Sequence, residues 1–137
     1  MWDVGYRMSD VGTLCPVEMD HEVMKKRTKQ FSINIIKFCE TLPNHYSAQR
    51  IGDQLLRAGT SVGANYRAAR RARSRKEFIY KLGLVEEETD ESFYWMELLV
   101  ESKIVSRDDL VDLWKEGNEI LSIIVATIKS TKLKSKK

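Results

Sequence analysis

The sequence predicts an all-α fold, an antiparallel up-down-up-down four-helix bundle, on three observations. Only two prolines and seven glycines punctuate the 137 residues, too few turns for a many-stranded sheet. Four stretches repeat apolar residues at three- and four-residue spacing, the period of one helix face. The connections between them are short, which sets successive helices side by side in opposite directions. A hydrophobic fraction of 42% is ordinary for a single domain with a core of its own.

The first helix carries Met24, Thr28, Phe31, Ile35, Cys39 and Leu42 on one face and is stopped by Pro43 in "LPNH". A second starts near Ser47 with Ile51, Leu55, Ala58, Val62, Asn65 and Ala69, and runs into a burst of arginines. Ser74 and Glu77 form a capping-box pattern that opens the third. Phe78, Leu82, Val85, Thr89, Phe93, Met96 and Val100 supply its core face. "SKIVS" breaks that rhythm, Ser106 and Asp109 suggest another cap, and Leu110, Leu113, Gly117, Ile120, Ile124 and Ile128 make the fourth. Residues 1–20 and 131–137 lack the period and read as a flexible N-terminal arm and a basic C-terminal tail around a bundle of residues 21–130.

Charge is distributed in blocks. Residues 45–85 hold nine basic against two acidic side chains, residues 86–119 three against twelve, and the remainder from Ile120 five lysines. Such blocks favour contact between complementary segments or present a basic patch to a polyanion.

The third helix also carries a second stripe, Tyr80, Leu84, Glu91, Trp95 and Leu98, on its far side. The second helix has a counterpart in Gly52, Leu56, Gly59, Gly63, Tyr66 and Arg70, where small residues admit a close neighbour. Two explanations compete: wide arcs buried within one bundle, or a subunit interface built from Gly59, Gly63 and Tyr66 against Tyr80, Leu84, Glu88, Glu91, Trp95 and Leu98. On the second, Glu88 and Glu91 meet arginines such as Arg67 or Arg70 across the contact, because buried charge must be paired.

Residue types that carry catalysis are sparse. A di-metal site in a bundle needs inward glutamates and paired Glu-x-x-His motifs, whereas the only histidines are His21, read as part of the arm, and His45, in a loop. "GTSVG" lacks the phosphate-loop spacing and follows no strand. Neither a hydroxyl nor Cys39 has a histidine placed to activate it. No enzyme, cofactor or metal is expected. Cys15 and Cys39 are too few for a disulfide framework, no basic leader precedes an apolar run, and no stretch approaches a membrane span, so a soluble cytoplasmic protein is expected.

The stretch "LLRAGTSVGANYRAARRARSRKEFIYKLGLVEEETDESFYWMELL" resembles the four-helix-bundle proteins encoded in 23S ribosomal RNA intervening sequences. Its carriers are Arg57, Ser61, Gly63, Asn65, Tyr66 and Arg67, then Phe78 and Lys81, then Glu88, Asp90, Glu91, Tyr94, Trp95, Glu97 and Leu98. The likeness covers about Met24 to Ile128, more loosely in the first and fourth helices. It implies a ring-like homopentamer without known catalytic activity. The accessory proteins of diversity-generating retroelements are similar in fold and assembly, and they bind a reverse transcriptase and nucleic acid through a basic surface.

Two function classes follow. One is a non-catalytic, oligomeric nucleic-acid-binding or ribonucleoprotein accessory factor, with Arg67, Arg70, Arg71, Arg73, Arg75 and Lys76 on phosphates of RNA or DNA. The other is a protein-interaction scaffold whose arginines serve its own assembly.

Overall fold

The computed structural model describes residues 21–135, and the N-terminal arm expected at 1–20 lies outside the described residues. Four helices make up the fold: α1 (His21–Cys39), α2 (Tyr46–Ala69), α3 (Arg75–Glu101) and α4 (Arg107–Ser135). Each packs on the next in sequence, and α4 closes the circuit on α1. No strand occurs among the described residues.

Helix starts follow local chemistry. Ser74 is the N-cap of α3, its hydroxyl accepting from the Glu77 backbone N–H at 3.0 Å. The Glu77 carboxylate reaches back one residue further than the capping-box pattern anticipates and accepts from the Arg73 N–H at 3.0 Å. Before α4, the Ser106 N–H donates to Asp109 Oδ2 at 3.1 Å. Between these two helices Lys103 sits at φ 64°. The Lys103 N–H bonds the Val100 carbonyl at 2.9 Å and the Ile104 N–H bonds that of Leu99 at 3.0 Å, the paired bonds of a Schellman stop. The basic tail expected at 131–137 is taken up by α4 as far as Ser135.

Phe31, Ile35, Leu55, Val62, Leu82, Val85, Met96, Leu99, Leu110, Ile120 and Ile124 form a fully buried core drawn from all four helices. Each such side chain contributes about 1.5–3 kcal/mol by leaving water. Buried hydroxyls are satisfied on their own helices: Thr28 Oγ1 donates to the Met24 carbonyl at 2.9 Å and Thr89 Oγ1 to that of Val85 at 2.7 Å. Phe38 and Trp114 join the core although the sequence period passes over them, and Tyr66 joins it from the second stripe of α2. Gly117 is why the aromatics fit: a Cβ there would lie 2.7 Å from the Phe93 ring, which packs on Trp114 with centroids 4.6 Å apart.

The glycine stripe of α2 faces α1 of the same chain. A Cβ on Gly59 would lie 2.7 Å from Ile35 Cγ1, one on Gly63 2.9 Å from Ser32 Oγ, and one on Gly52 2.7 Å from the Leu42 side chain. Ser32 Oγ donates to the Gly59 carbonyl at 2.9 Å across this approach. The assignment of Gly59, Gly63 and Tyr66 to a subunit interface is therefore corrected. The glycines are spent on α1, and Tyr66 is only 4% exposed. Leu56 and Arg70 of the same stripe are exposed.

Candidate functional site

All six basic residues of the candidate patch are exposed, and they cross the corner where α2 ends and α3 begins. Arg67 lies in the last turn of α2 and Arg70 is its C-cap, where positive charge complements the helix dipole. Backbone bonds from Arg71 to the Ala68 carbonyl (3.0 Å) and from Ala72 to that of Ala69 (3.1 Å) tighten the chain into the corner. Arg75 then opens α3.

The corner divides the cluster between two concavities. Arg67, Arg71 and Arg73 line a groove of about 500 Å³ with Ala64, Ala68, Glu77 and Lys81. Arg70 and Arg75 line a second, of about 520 Å³, with His21, Phe78, Thr127, Ser130, Thr131 and Lys134. Lys76 lines neither. Sequence reading passed over Lys81 and Lys134 as site residues: Lys81 lies one helical turn beyond Glu77, a spacing that could have flagged it, whereas nothing local marks Lys134 or His21. His21 belongs to the first turn of α1 rather than to an arm, with Nδ1 3.5 Å from the Tyr66 hydroxyl.

The acidic stripe is paired inside the chain by a different arginine from those expected. Arg57 Nη1 lies 3.4 Å from Glu88 Oε1, and Arg57 also forms an ion pair with Glu91. Glu91 in turn accepts from the Trp95 indole N–H at 3.2 Å. Arg67 and Arg70 are thus not the partners of these acids within the chain. Tyr80 is 63% exposed and Tyr94 52%, while Leu84, Trp95 and Leu98 are half-buried. Tyr94 meets Trp95 edge-on with centroids 5.0 Å apart. On the far side of the fold, Arg27 of α1 makes paired bonds to Glu116 of α4 (3.0 and 2.7 Å) and a third contact to Glu119 (2.9 Å). The hydrogen bonds with Glu116 raise the Arg27 pKa above its ordinary value and outweigh partial burial.

Burial pushes the Cys39 thiol up to about 11, with Asp53 adding to the shift, and its Sγ donates to the Gly52 carbonyl at 3.6 Å. A thiol so protonated is a poor nucleophile. Among the described residues no three His, Cys, Asp or Glu side chains gather as metal ligands, and no helix is long and apolar enough to cross a membrane.

What fold and surface define together is a small all-α chain whose arginines cluster at one corner. The chain belongs to the 23S rRNA-intervening sequence protein family, whose model matches residues 19–126. It is also similar to a crystal structure of a protein of unknown function from the S23 ribosomal protein family of Bacteroides thetaiotaomicron VPI-5482. That likeness has 33% identity and a TM-score of 0.74, and covers 81% of this chain and 99% of that one. No curated protein matches the sequence.

Proposed function

We propose that this chain is a non-catalytic, homo-oligomeric four-helix bundle that serves as a nucleic-acid-binding accessory factor. The observation that carries the reading is the groove where Arg67, Arg71, Arg73 and Lys81 face one another across the α2–α3 corner with a single acid, Glu77, among them. Four basic side chains outnumber that one carboxylate, so the groove is net positive among its described residues and suits a phosphate backbone. Little sequence preference is expected, because the described residues of its lining include no aromatic side chain for base stacking.

An up-down-up-down antiparallel bundle is supported by the α1–α2 register, in which residues 28, 32 and 39 meet 63, 59 and 52. Self-association, with a pentameric ring as the expected form, is supported by the Tyr80, Tyr94 and Trp95 surface. Repetition around a ring multiplies weak phosphate contacts through effective concentration. A protein partner within a ribonucleoprotein, such as a reverse transcriptase, fits the same reading.

The test is binding of a single-stranded RNA as a function of salt. Log affinity is expected to fall linearly with log salt, by about 0.7 per neutralised phosphate. Changing Arg67, Arg71 and Arg73 together to Gln should flatten the slope by about 2 while leaving the mass in solution unchanged. Retention of neither RNA nor DNA at about 50 mM salt, where phosphate contacts are strongest, returns the chain to the protein-scaffold reading.

A further inference from the structure

The second concavity is chemically distinct from the nucleic-acid groove. All four helices build it at one end of the fold: His21 from the start of α1, Arg70 from the end of α2, Arg75 and Phe78 from the start of α3, and Thr127, Ser130, Thr131 and Lys134 from the end of α4. Among the described residues of its lining are two guanidinium groups, an ammonium and an imidazole, and no carboxylate. Arg27 and Arg57, by contrast, are matched by acids, the first by Glu116 and Glu119 and the second by Glu88 and Glu91.

Helix-end chemistry accounts for part of the arrangement. Arg70 and Lys134 complement the negative ends of α2 and α4. Arg75 has the opposite relation: it is the first residue of α3, where a helix end is already positive and disfavours a cation. It lines the same concavity as Arg70, which adds like-charge repulsion to that cost. An anion seated between the two would reverse both penalties at once. Two planar guanidinium forks suit oxygen pairs on phosphate, and Lys134 adds a point charge. Phe78, half-buried, gives the concavity one aromatic wall.

We infer that this concavity is a binding site for a small polyphosphate anion, held by Arg70, Arg75 and Lys134, with Phe78 beside its organic part where it has one. The volume of about 520 Å³ lies within the range of small-molecule sites. One phosphate chemistry could arrive as inorganic pyrophosphate or as a nucleoside diphosphate, and the two are separated by measuring both. Among the described residues the site shares no lining residue with the groove assigned to nucleic acid.

Titration calorimetry and thermal unfolding with pyrophosphate and with ADP at about 50 mM salt, low enough to limit screening, provide the test. Both probes are expected to bind, and at a hundredfold excess over Kd to raise the melting temperature by roughly 8–11 °C. Equal affinities would place recognition in the phosphates alone; tighter ADP binding would add the Phe78 wall. Arg70→Gln with Arg75→Gln should weaken both probes at least about tenfold, the loss of charge-assisted bonds. Arg71→Gln with Arg73→Gln should leave both within about twofold, as expected for sites without shared partners, while RNA affinity falls. The inference is overturned if neither probe binds, if the Arg70/Arg75 variant binds as well as the parent, or if the Arg71/Arg73 variant loses the probes equally. Failure of RNA binding alone leaves it standing.

Discussion

Replacing glycine by alanine should have opposite effects at two positions of this chain, and the difference follows from which helix stands opposite. At Gly83 an added Cβ meets nothing within 4 Å, so the substitution keeps only the gain in helix propensity, about 0.8–1 kcal/mol. At Gly59 the same methyl would lie 2.7, 2.8 and 3.0 Å from Cγ1, Cγ2 and Cβ of Ile35, a residue with no exposure. A β-branched side chain has little rotamer freedom with which to yield. Crowding of this kind costs about 1–3 kcal/mol, and separating the helices also stretches the Ser32 to Gly59 hydrogen bond, worth about 0.5–1.5 kcal/mol. After the propensity gain, Gly59→Ala should lose about 1–3 kcal/mol. At roughly 3–4 °C per kcal/mol for a domain of this size, its melting temperature should fall about 3–10 °C, whereas that of Gly83→Ala rises about 3 °C. Thermal and urea unfolding, with light scattering on the same samples, make the measurement. A Gly59→Ala protein as stable as Gly83→Ala would refute the tight α1–α2 approach. Unchanged stability with a lowered mass would return the glycine seam to a subunit interface.

Lys103→Gly should stabilise the fold by about 1 kcal/mol in urea unfolding, because only glycine occupies the left-handed region without penalty. Trp95→Ala with Tyr80→Ser should lower the mass seen by light scattering at low micromolar concentration, as expected on losing an aromatic anchor typically worth 2 kcal/mol or more. Unchanged mass would count against this face as an interface. Arg27→Ala should cost about 1–2 kcal/mol, since it leaves Glu116 and Glu119 facing each other without their cation. Restoration of that loss at high salt would show the effect to be charge. Cys39 titrates at about 11 when folded and near 9.0 when not, so its stabilising contribution is full below pH 9 and is lost as pH rises through 11. Peptide mapping after iodoacetamide treatment at pH 8.5 should find Cys39 unmodified in the folded protein and modified in urea.

The four helices were legible because each is announced locally. Ser74 with Glu77 and Ser106 with Asp109 place two starts, Pro43 marks an end, and most of the apolar positions at three- and four-residue spacing reach the core. Phe38 and Trp114 escaped because only one stripe was read on α1 and α4, where bundle helices bury wider arcs. The glycine stripe announced a close helix neighbour but could not say whose helix it was, since α1 and a second chain would write the same pattern. Arg57 was passed over for a related reason. Its meeting with Glu88 and Glu91 depends on how far α2 slides along α3, a distance the turn at residues 70–74 sets and no local motif encodes. The arginine cluster was visible as composition, but its division between two concavities depends on His21 and Lys134, 113 residues apart in the chain.

The Arg57 fork has a consequence for temperature. Because this guanidinium already answers two carboxylates beside Trp95, and the indole N–H is itself bonded to one of them, both acids have partners and half of their charge is balanced before any neighbour arrives. A second copy docking there would gain mainly by covering Tyr80, Tyr94 and the half-buried leucines. Apolar association of that kind weakens on cooling and is strengthened by sulfate, so complexes formed through this face would loosen in the cold and tighten on warming.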